Sequence, residues 1–287
     1  MPELPEVETI VTDLQKKILG KRVTSINVPL KKIVKNSQTV FKREMLNNSF
    51  QNVFRRGKYI FFALLNTDKY LSIHLRMTGQ LIYLNQDEII AGGHGQDDVG
   101  SLPGKYTHAI LQFDDGSRLF YNDLRQFGYL QIIDSADLAV INQKLGYEPM
   151  KKEFSLVNFK KLVASSSKKN VKSFLLDQHK IAGIGNIYAD EILFGAKVLP
   201  TRKVGDLSEV EVVSIYKAIK QILKDAIKFR GTTFNNYVDS SGNQGSFFDK
   251  LTVYQRESEN CKRCRVGIIE KMKVTGRGTR YCNNCQK

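Results

Sequence analysis

The 287-residue chain contains no tryptophan, only four histidines and four cysteines, and six prolines. Nowhere do about 18 apolar residues follow one another, which excludes a membrane-spanning helix. The first residues carry neither a basic start nor an apolar stretch, so no secretory leader is expected and the location expected is cytoplasmic. No segment recurs at a fixed period, which speaks against a repeat architecture. No histidine adjoins the cysteines, so a metal held by them would sit in a closed, structural site.

What is present is apolar content of 41%, enough for real cores, and a length that allows two domains. Forty-four Lys and Arg against 29 Asp and Glu leave a formal charge of +15. Such an excess favours a polyanionic partner, nucleic acid first and an anionic membrane second. Placement sharpens this. Residues 251–287 hold nine Lys or Arg against three Glu, together with all four cysteines.

After an opening helix the first half is β-rich. Apolar or alternating runs at RVTSINV, GKYIFFALL, KYLSIHLRM, QLIYL, HAILQF, RLFYN and GYLQII are separated by turn signals such as Asp114-Asp115-Gly116. Short strands at this spacing predict a sandwich or barrel. The glycine-rich stretch 91–105 is expected to be a loop, as is 238–249. From about residue 137 the period becomes helical. The longest case runs from Ser208 to about Arg230, with Ser208 and Glu211 as a capping box and Val212, Ile215, Ile219, Ile222, Leu223 and Ile227 as the buried stripe. The expectation is an α+β chain: a β-sandwich with its opening helix at 1–134, a helical domain at 135–250, and a cysteine module at 251–287.

Cys261-x2-Cys264 and Cys282-x2-Cys285, with 17 residues between them, have the spacing of a zinc ribbon. The competing account is two disulfides or free thiols, which a reducing compartment disfavours. Between the pairs, KVTGRGTR predicts a hairpin tip at which Gly276 and Gly278 permit the turn and Arg277 projects. Judged alone, Arg277 is as well explained by solvation as by a phosphate. The start, MPELPEVETI, also has a plain account. Pro5 suits a first helical turn, Glu6 and Glu8 complement the helix dipole, and Val7, Ile10, Val11, Leu14 and Ile18 form a stripe. Pro2 and Glu3 stay unexplained.

MPELPEVET, the RRGKY hairpin, HLRMTG, RQFG, GIGNIYADE and the terminal four-cysteine ribbon with GRGT occur together in this order. The whole chain thereby resembles the bacterial formamidopyrimidine-DNA glycosylases, base-excision enzymes for oxidised purines. The resemblance implies a β-sandwich, a helix–two-turn–helix domain and a zinc ribbon with one structural Zn2+ on Cys261, Cys264, Cys282 and Cys285. It implies a monomer acting on damaged duplex DNA in a basic cleft between the domains, associated with the nucleoid. Removal of Met1 would free the amine of Pro2, the nucleophile that attacks the anomeric carbon and yields a permanently charged iminium. An α-amino group has a reference pKa of about 7.7–8.0, against about 10.4 for lysine, so more of it is neutral at pH 7. Glu3 resembles the catalytic acid, a role that desolvation of a carboxyl group favours. Lys58 matches a phosphate-contacting lysine that assists elimination, and Arg277 the arginine that clamps the flanking phosphates.

Extrusion of a base leaves a hole. The resemblance assigns Met77 and Phe127 to wedging between the remaining bases and Arg125 to pairing with the orphaned one, with Phe and Tyr doing the stacking. Asn186, at the start of the helix after GIG, is placed on a phosphate, although spacing alone makes it a helix cap. Lys172 and Tyr254 are further candidates for DNA contact. Where the family commonly shows Lys-His-Asp-His, this chain has Lys105-Tyr106-Thr107-His108. Tyr106 then stands at the phosphate-touching histidine and His108 is expected to be structural. Ser173 stands where proline often follows the lysine. Two rivals remain at this point: an endonuclease VIII-like enzyme for oxidised pyrimidines and a non-catalytic zinc-ribbon DNA-binding protein. Leu4 and the full Met77, Arg125, Phe127 set favour the purine enzyme over the first.

Overall fold

A computed structural model describes residues 1–86, 88–93, 102–232 and 247–287. Most of the glycine-rich stretch 91–105 and of the lesion loop expected at 231–248 lies outside the described residues. The chain packs as two compact units, one of residues 1–143 with 229–248, the other of 144–228 with 249–287.

The first unit is a β-sandwich entered by helix α1, Leu4–Ile18. One sheet runs β1–β7–β8–β5–β6, where β1 is Val23–Asn27, β5 Gly79–Asn85, β6 Glu88–Gly93, β7 Thr107–Phe113 and β8 Arg118–Asp123. The other runs β2–β3–β4–β9, where β2 is Phe50–Arg56, β3 Tyr59–Leu64, β4 Lys69–His74 and β9 Tyr129–Asp134. Every pairing is antiparallel, so one face of each strand turns inward. Val7, Ile10, Val11, Leu14 and Ile18 of α1 enter the shared core beside Phe50, Phe62, Leu71, Leu111 and Phe113, as their spacing predicts. Burial of such side chains contributes about 1.5–3 kcal/mol each.

Three elements were not legible beforehand. In β2 a bulge between Phe50 and Asn52 breaks the alternation. Strand β6 takes residues 91–93 out of the expected loop and pairs them with Gln80–Ile82. Helix α2, Gln38–Met45, shows only Phe41 and Met45 buried, too short a stripe to register.

Helix α3, Ser135–Lys144, follows β9, and the second unit holds α4 (Leu156–Ala164), α5 (Val171–Leu176), α6 (Asn186–Ala196) and α7 (Glu209–Lys228), ahead of the hairpin β10–β11 (Ile269–Val274 and Arg277–Cys282). Phe154, Phe159, Phe174 and Tyr216 form its aromatic centre. The capping box of α7 is in place, with Ser208 N–H donating to Glu211 Oε2 at 2.8 Å and Glu211 N–H donating to Ser208 Oγ at 3.3 Å. No helix among the described residues is long and apolar enough to cross a membrane.

Candidate active site

In the first unit the N-terminus is folded inward. Pro2 is buried, and Glu3 and Glu6 are 1% and 2% exposed. The amine, here carried by Met1, has its pKa lowered by burial, opposed by the carboxylates of Glu3 and Glu6 and reinforced by Lys58. All three side chains thus lie near enough to act on the charge of the amine. Lys58, in the turn between β2 and β3, is only 8% exposed, which removes the account of it as a solvated lysine.

Glu6 does more than face a helix dipole. Its Oε2 accepts the Glu3 N–H at 2.8 Å, while Oε1 accepts both the N–H and the hydroxyl of Thr232, at 2.8 and 3.1 Å. Asp13, two turns further along α1, pairs with Arg230. Gly231 between these anchors has φ +81°, and a Cβ there would stand 2.6 Å from Glu6 Oε1, so only glycine fits. Glu8 pairs with Arg55 at 2.5 Å.

His74 is a group that sequence reasoning passed over, although HLRMTG contains it. It is 7% exposed, stacks edge-on against Tyr59 at 4.6 Å, and its Nδ1 accepts the Arg76 N–H at 3.1 Å. Burial, and then the charges of Arg76 and Lys58, pull its pKa from 6.5 down to about 3. The folded protein thus holds a neutral imidazole where the unfolded chain takes up a proton below pH 6.5. Stability is unaffected above that pH and falls as the solution is acidified toward 3, by up to about 1.4 kcal/mol per pH unit. Between pH 7 and 5 the wild type should lose about 2 kcal/mol more than His74→Asn in urea unfolding. An equal loss in the two proteins would place this titration elsewhere.

Met77, Arg125 and Phe127 are brought together, and all are exposed, Met77 by 42% and Phe127 by 54%. Arg125 lies over the Phe127 ring at 4.7 Å and points Nη1 at Met77 Sδ at 3.0 Å. Two apolar tips flanking a guanidinium on a protein surface are costly to leave in water and suited to insertion between bases. Tyr106 is half-buried with Lys105 Nζ 5.7 Å above its ring. His108 is buried with Nε2 2.9 Å from Asp123 O, the structural place expected of it.

The second unit positions the other group. Gly183, at φ +94°, turns the chain into α6, whose cap is Gly185 rather than Asn186. Asn186 Nδ2 donates to Gly278 O at 2.9 Å, and its Oδ1 is buried with no partner. Gly276 takes the hairpin turn with φ +77°, whereas Gly278 lies within β11 and offers its carbonyl instead of a bend. Arg277 is exposed at this tip.

Lys172 requires a correction. It is fully buried, pairs with Asp190 at 2.6 Å, and donates to Gly278 O at 3.1 Å and Thr279 Oγ1 at 2.8 Å. An ammonium with its donors spent on protein acceptors cannot touch a phosphate; it fixes the strand that carries Arg277. Burial raises the Asp190 pKa, against Lys172, and Asp190 also accepts the Arg280 N–H at 3.0 Å. Glu191, next in the chain, accepts the N–H groups of Thr252, Val253 and Tyr254, each at 2.9 Å. Tyr254 lies under Arg280, 4.6 Å from ring centre to guanidinium. No local pattern announces contacts between residues some 60 positions apart.

The four cysteine sulfurs lie within 4.8 Å of one another, with Cys261–Cys285 at 3.7 Å and Cys264–Cys282 at 3.8 Å. Those separations are too long for disulfides and match the edge of about 3.8 Å that a tetrahedron with metal–sulfur bonds of about 2.3 Å requires. Backbone N–H groups of Arg263, Gly267 and Cys285 point at Cys261, Cys264 and Cys282 over 3.2–3.3 Å, as thiolates need.

A buried acidic N-terminus, a surface wedge of arginine between apolar tips, and a four-thiolate ribbon together define a nucleic-acid-processing protein. The comparisons make the class specific. Residues 1–130 match the model of the formamidopyrimidine-DNA glycosylase N-terminal domain, and 145–238 that of the H2TH domain. The formamidopyrimidine-DNA glycosylase of Carboxydothermus hydrogenoformans is 41% identical, with 100% of both chains covered. That of Streptococcus pneumoniae is 39% identical over 100% of this chain and 99% of its own. The Lactococcus lactis enzyme in complex with abasic-site DNA superposes with TM-score 0.86 at 33% identity over 99% of each chain. A mutant of it bound to DNA containing Fapy-dG gives 0.88 at 33% identity over 100% of each. The chain belongs to the formamidopyrimidine-DNA glycosylase family.

Proposed function

We propose that this protein is a bifunctional glycosylase and abasic-site lyase that removes 8-oxoguanine and formamidopyrimidines from duplex DNA through the amine of Pro2. The observation that supports the chemistry is the burial of Pro2, Glu3, Glu6 and Lys58 within the first unit, with Glu6 Oε2 accepting the Glu3 N–H at 2.8 Å. With Met1 removed, the Pro2 nitrogen forms a bond to C1′ of the damaged nucleotide. The glycosidic bond breaks, its electron pair leaves with the base, and Glu3 supplies the proton. The C1′–O4′ bond then breaks, O4′ takes up the proton that the Pro2 nitrogen gives up, and the iminium forms, a cation because the amine is secondary. It draws electrons as the C2′ proton departs and the 3′ phosphate is expelled; a second elimination expels the 5′ phosphate. Hydrolysis of that iminium after the eliminations frees the enzyme.

Lys58 and Arg277 contact the phosphates on either side and stabilise the charge developing there. Met77 and Phe127 fill the vacated stack while Arg125 meets the orphaned base. Asn186, Tyr106 and Tyr254 contact the backbone. Lys172 serves indirectly, through Gly278 and Thr279. Cys261, Cys264, Cys282 and Cys285 hold one Zn2+, which ties the two knuckles and supplies no chemistry to the reaction.

The reading is tested with duplexes containing 8-oxoguanine or thymine glycol. Excision of the purine at least about tenfold faster is expected, since kcat/KM ratios of that order report pocket fit. The reverse order would favour the pyrimidine enzyme.

A further inference from the structure

The wedge residues lie on two neighbouring turns, and one buried carboxylate joins them. Asp123 is 0% exposed. Its Oδ1 accepts the Thr78 hydroxyl at 2.5 Å and the Arg125 N–H at 3.2 Å; its Oδ2 accepts the Gly128 N–H at 2.8 Å and the Tyr121 hydroxyl at 3.2 Å. Thr78 Oγ1 in turn accepts the Arg125 N–H at 3.0 Å. Taking a carboxylate out of water is costly unless donors saturate it, and here, apart from Tyr121 of β8, they come from the turns that carry Met77 on one side and Arg125 with Phe127 on the other. Both turns also contain a residue in the left-handed region, Arg76 at φ +52° and Gln126 at φ +56°. Non-glycine residues adopt it only where surrounding bonds hold them there. The strands at either end of the turns are also paired, Gly79 with Asp123 and His74 with Tyr129, and Asp123 adds the side-chain link between the turns themselves.

We propose that Asp123, acting with Thr78, is a positioning residue that locks the two turns into one rigid wedge, and that base discrimination opposite the lesion depends on this lock. The inference rests on the wedge role of Met77, Arg125 and Phe127 given above. Arginine presents a planar fork of donors. Cytosine offers adjacent acceptors, O2 and N3, to receive it; adenine offers one acceptor beside a donor on the same edge. Choosing between them requires the fork to be held in a fixed direction relative to the apolar tips. A wedge free to pivot would still fill the gap but would distinguish the two bases poorly.

The test is single-turnover excision of 8-oxoguanine placed opposite cytosine and opposite adenine. Thr78→Val, which keeps the shape and removes the hydroxyl, is expected to shrink the cytosine-to-adenine rate ratio by about fivefold, the worth of one such hydrogen bond. Thr78→Ser restores the hydroxyl and should restore the ratio. Asp123→Asn should shift it in the same direction as Thr78→Val. Thr78→Val keeps the question decidable where the buried amide of Asp123→Asn fails to fold. A purely structural role predicts that both rates fall together with the ratio unchanged. That result, or an unmoved ratio in Thr78→Val beside a collapsed one in Arg125→Ala, overturns the proposal and leaves the wedge reading intact. An unmoved ratio in Arg125→Ala overturns the wedge reading, and this proposal with it.

Discussion

A protein carrying an uncleaved N-terminal extension of about ten residues is expected to bind abasic-analogue duplex normally yet give no borohydride-trapped adduct. Such an extension turns the Pro2 nitrogen into a tertiary amide, whose lone pair is delocalised into the carbonyl and is no longer nucleophilic. The loss should exceed about a thousandfold, the scale on which covalent catalysis fails once its nucleophile is removed. Intact-mass measurement of the control protein must show Pro2 as its first residue. Retained trapping in the extended protein would move the nucleophile to another amine, with Lys58, also buried, the next to be replaced. Unchanged binding separates this outcome from simple misfolding.

Replacing Cys282 by serine is expected to remove the metal and, with it, at least about a hundredfold in affinity for damaged duplex. The estimate follows from how small the ribbon's own apolar core is, beside the contacts that Lys172, Asn186 and Asp190 make to β11. From Cys261 onward the buried apolar residues are Cys261, Ile269, Val274 and Cys282, two of them the ligands themselves. Structural zinc supplies about 10–16 kcal/mol to such modules, far more than two aliphatic side chains can. Without it β10 and β11 lose their register, and Arg277, Gly278 and Thr279 lose their places. The check is one equivalent of zinc released per wild-type chain on denaturation, none from Cys282→Ser, alongside binding isotherms. Near-normal affinity in metal-free protein would show that the hairpin folds by other means.

How much of this was legible beforehand differed by the range of the interaction. Helix α7 could be placed from its capping box and stripe because both are local, and the four-thiolate cluster because ligand spacing is geometric. Strands with a continuous apolar run or with alternation were found; β2 was not, since its bulge puts Phe50 and Val53 out of phase. The motifs marked the site's location, yet buried polar side chains revealed their roles only in three dimensions. Lys172 reads as one more basic residue in a chain of charge +15, and only its ion pair with Asp190 withdraws it from solvent. Glu191 looks like part of a helix face, and its clamp on Thr252, Val253 and Tyr254 depends on chain folding back from far away. Thr78 sits inside HLRMTG and Asp123 two residues before RQFG, and nothing local says that they face each other.

The bond between Glu6 and Thr232 joins the sixth residue to one 226 positions later. A ribosome delivers the amine, the acid and the first β-strands long before it delivers the segment that completes the carboxylate's set of donors. During that interval Glu6 Oε1 lacks both donors of Thr232. On the function proposed above, a product that stops short of residue 232 would carry Pro2 and Glu3 in an incomplete setting.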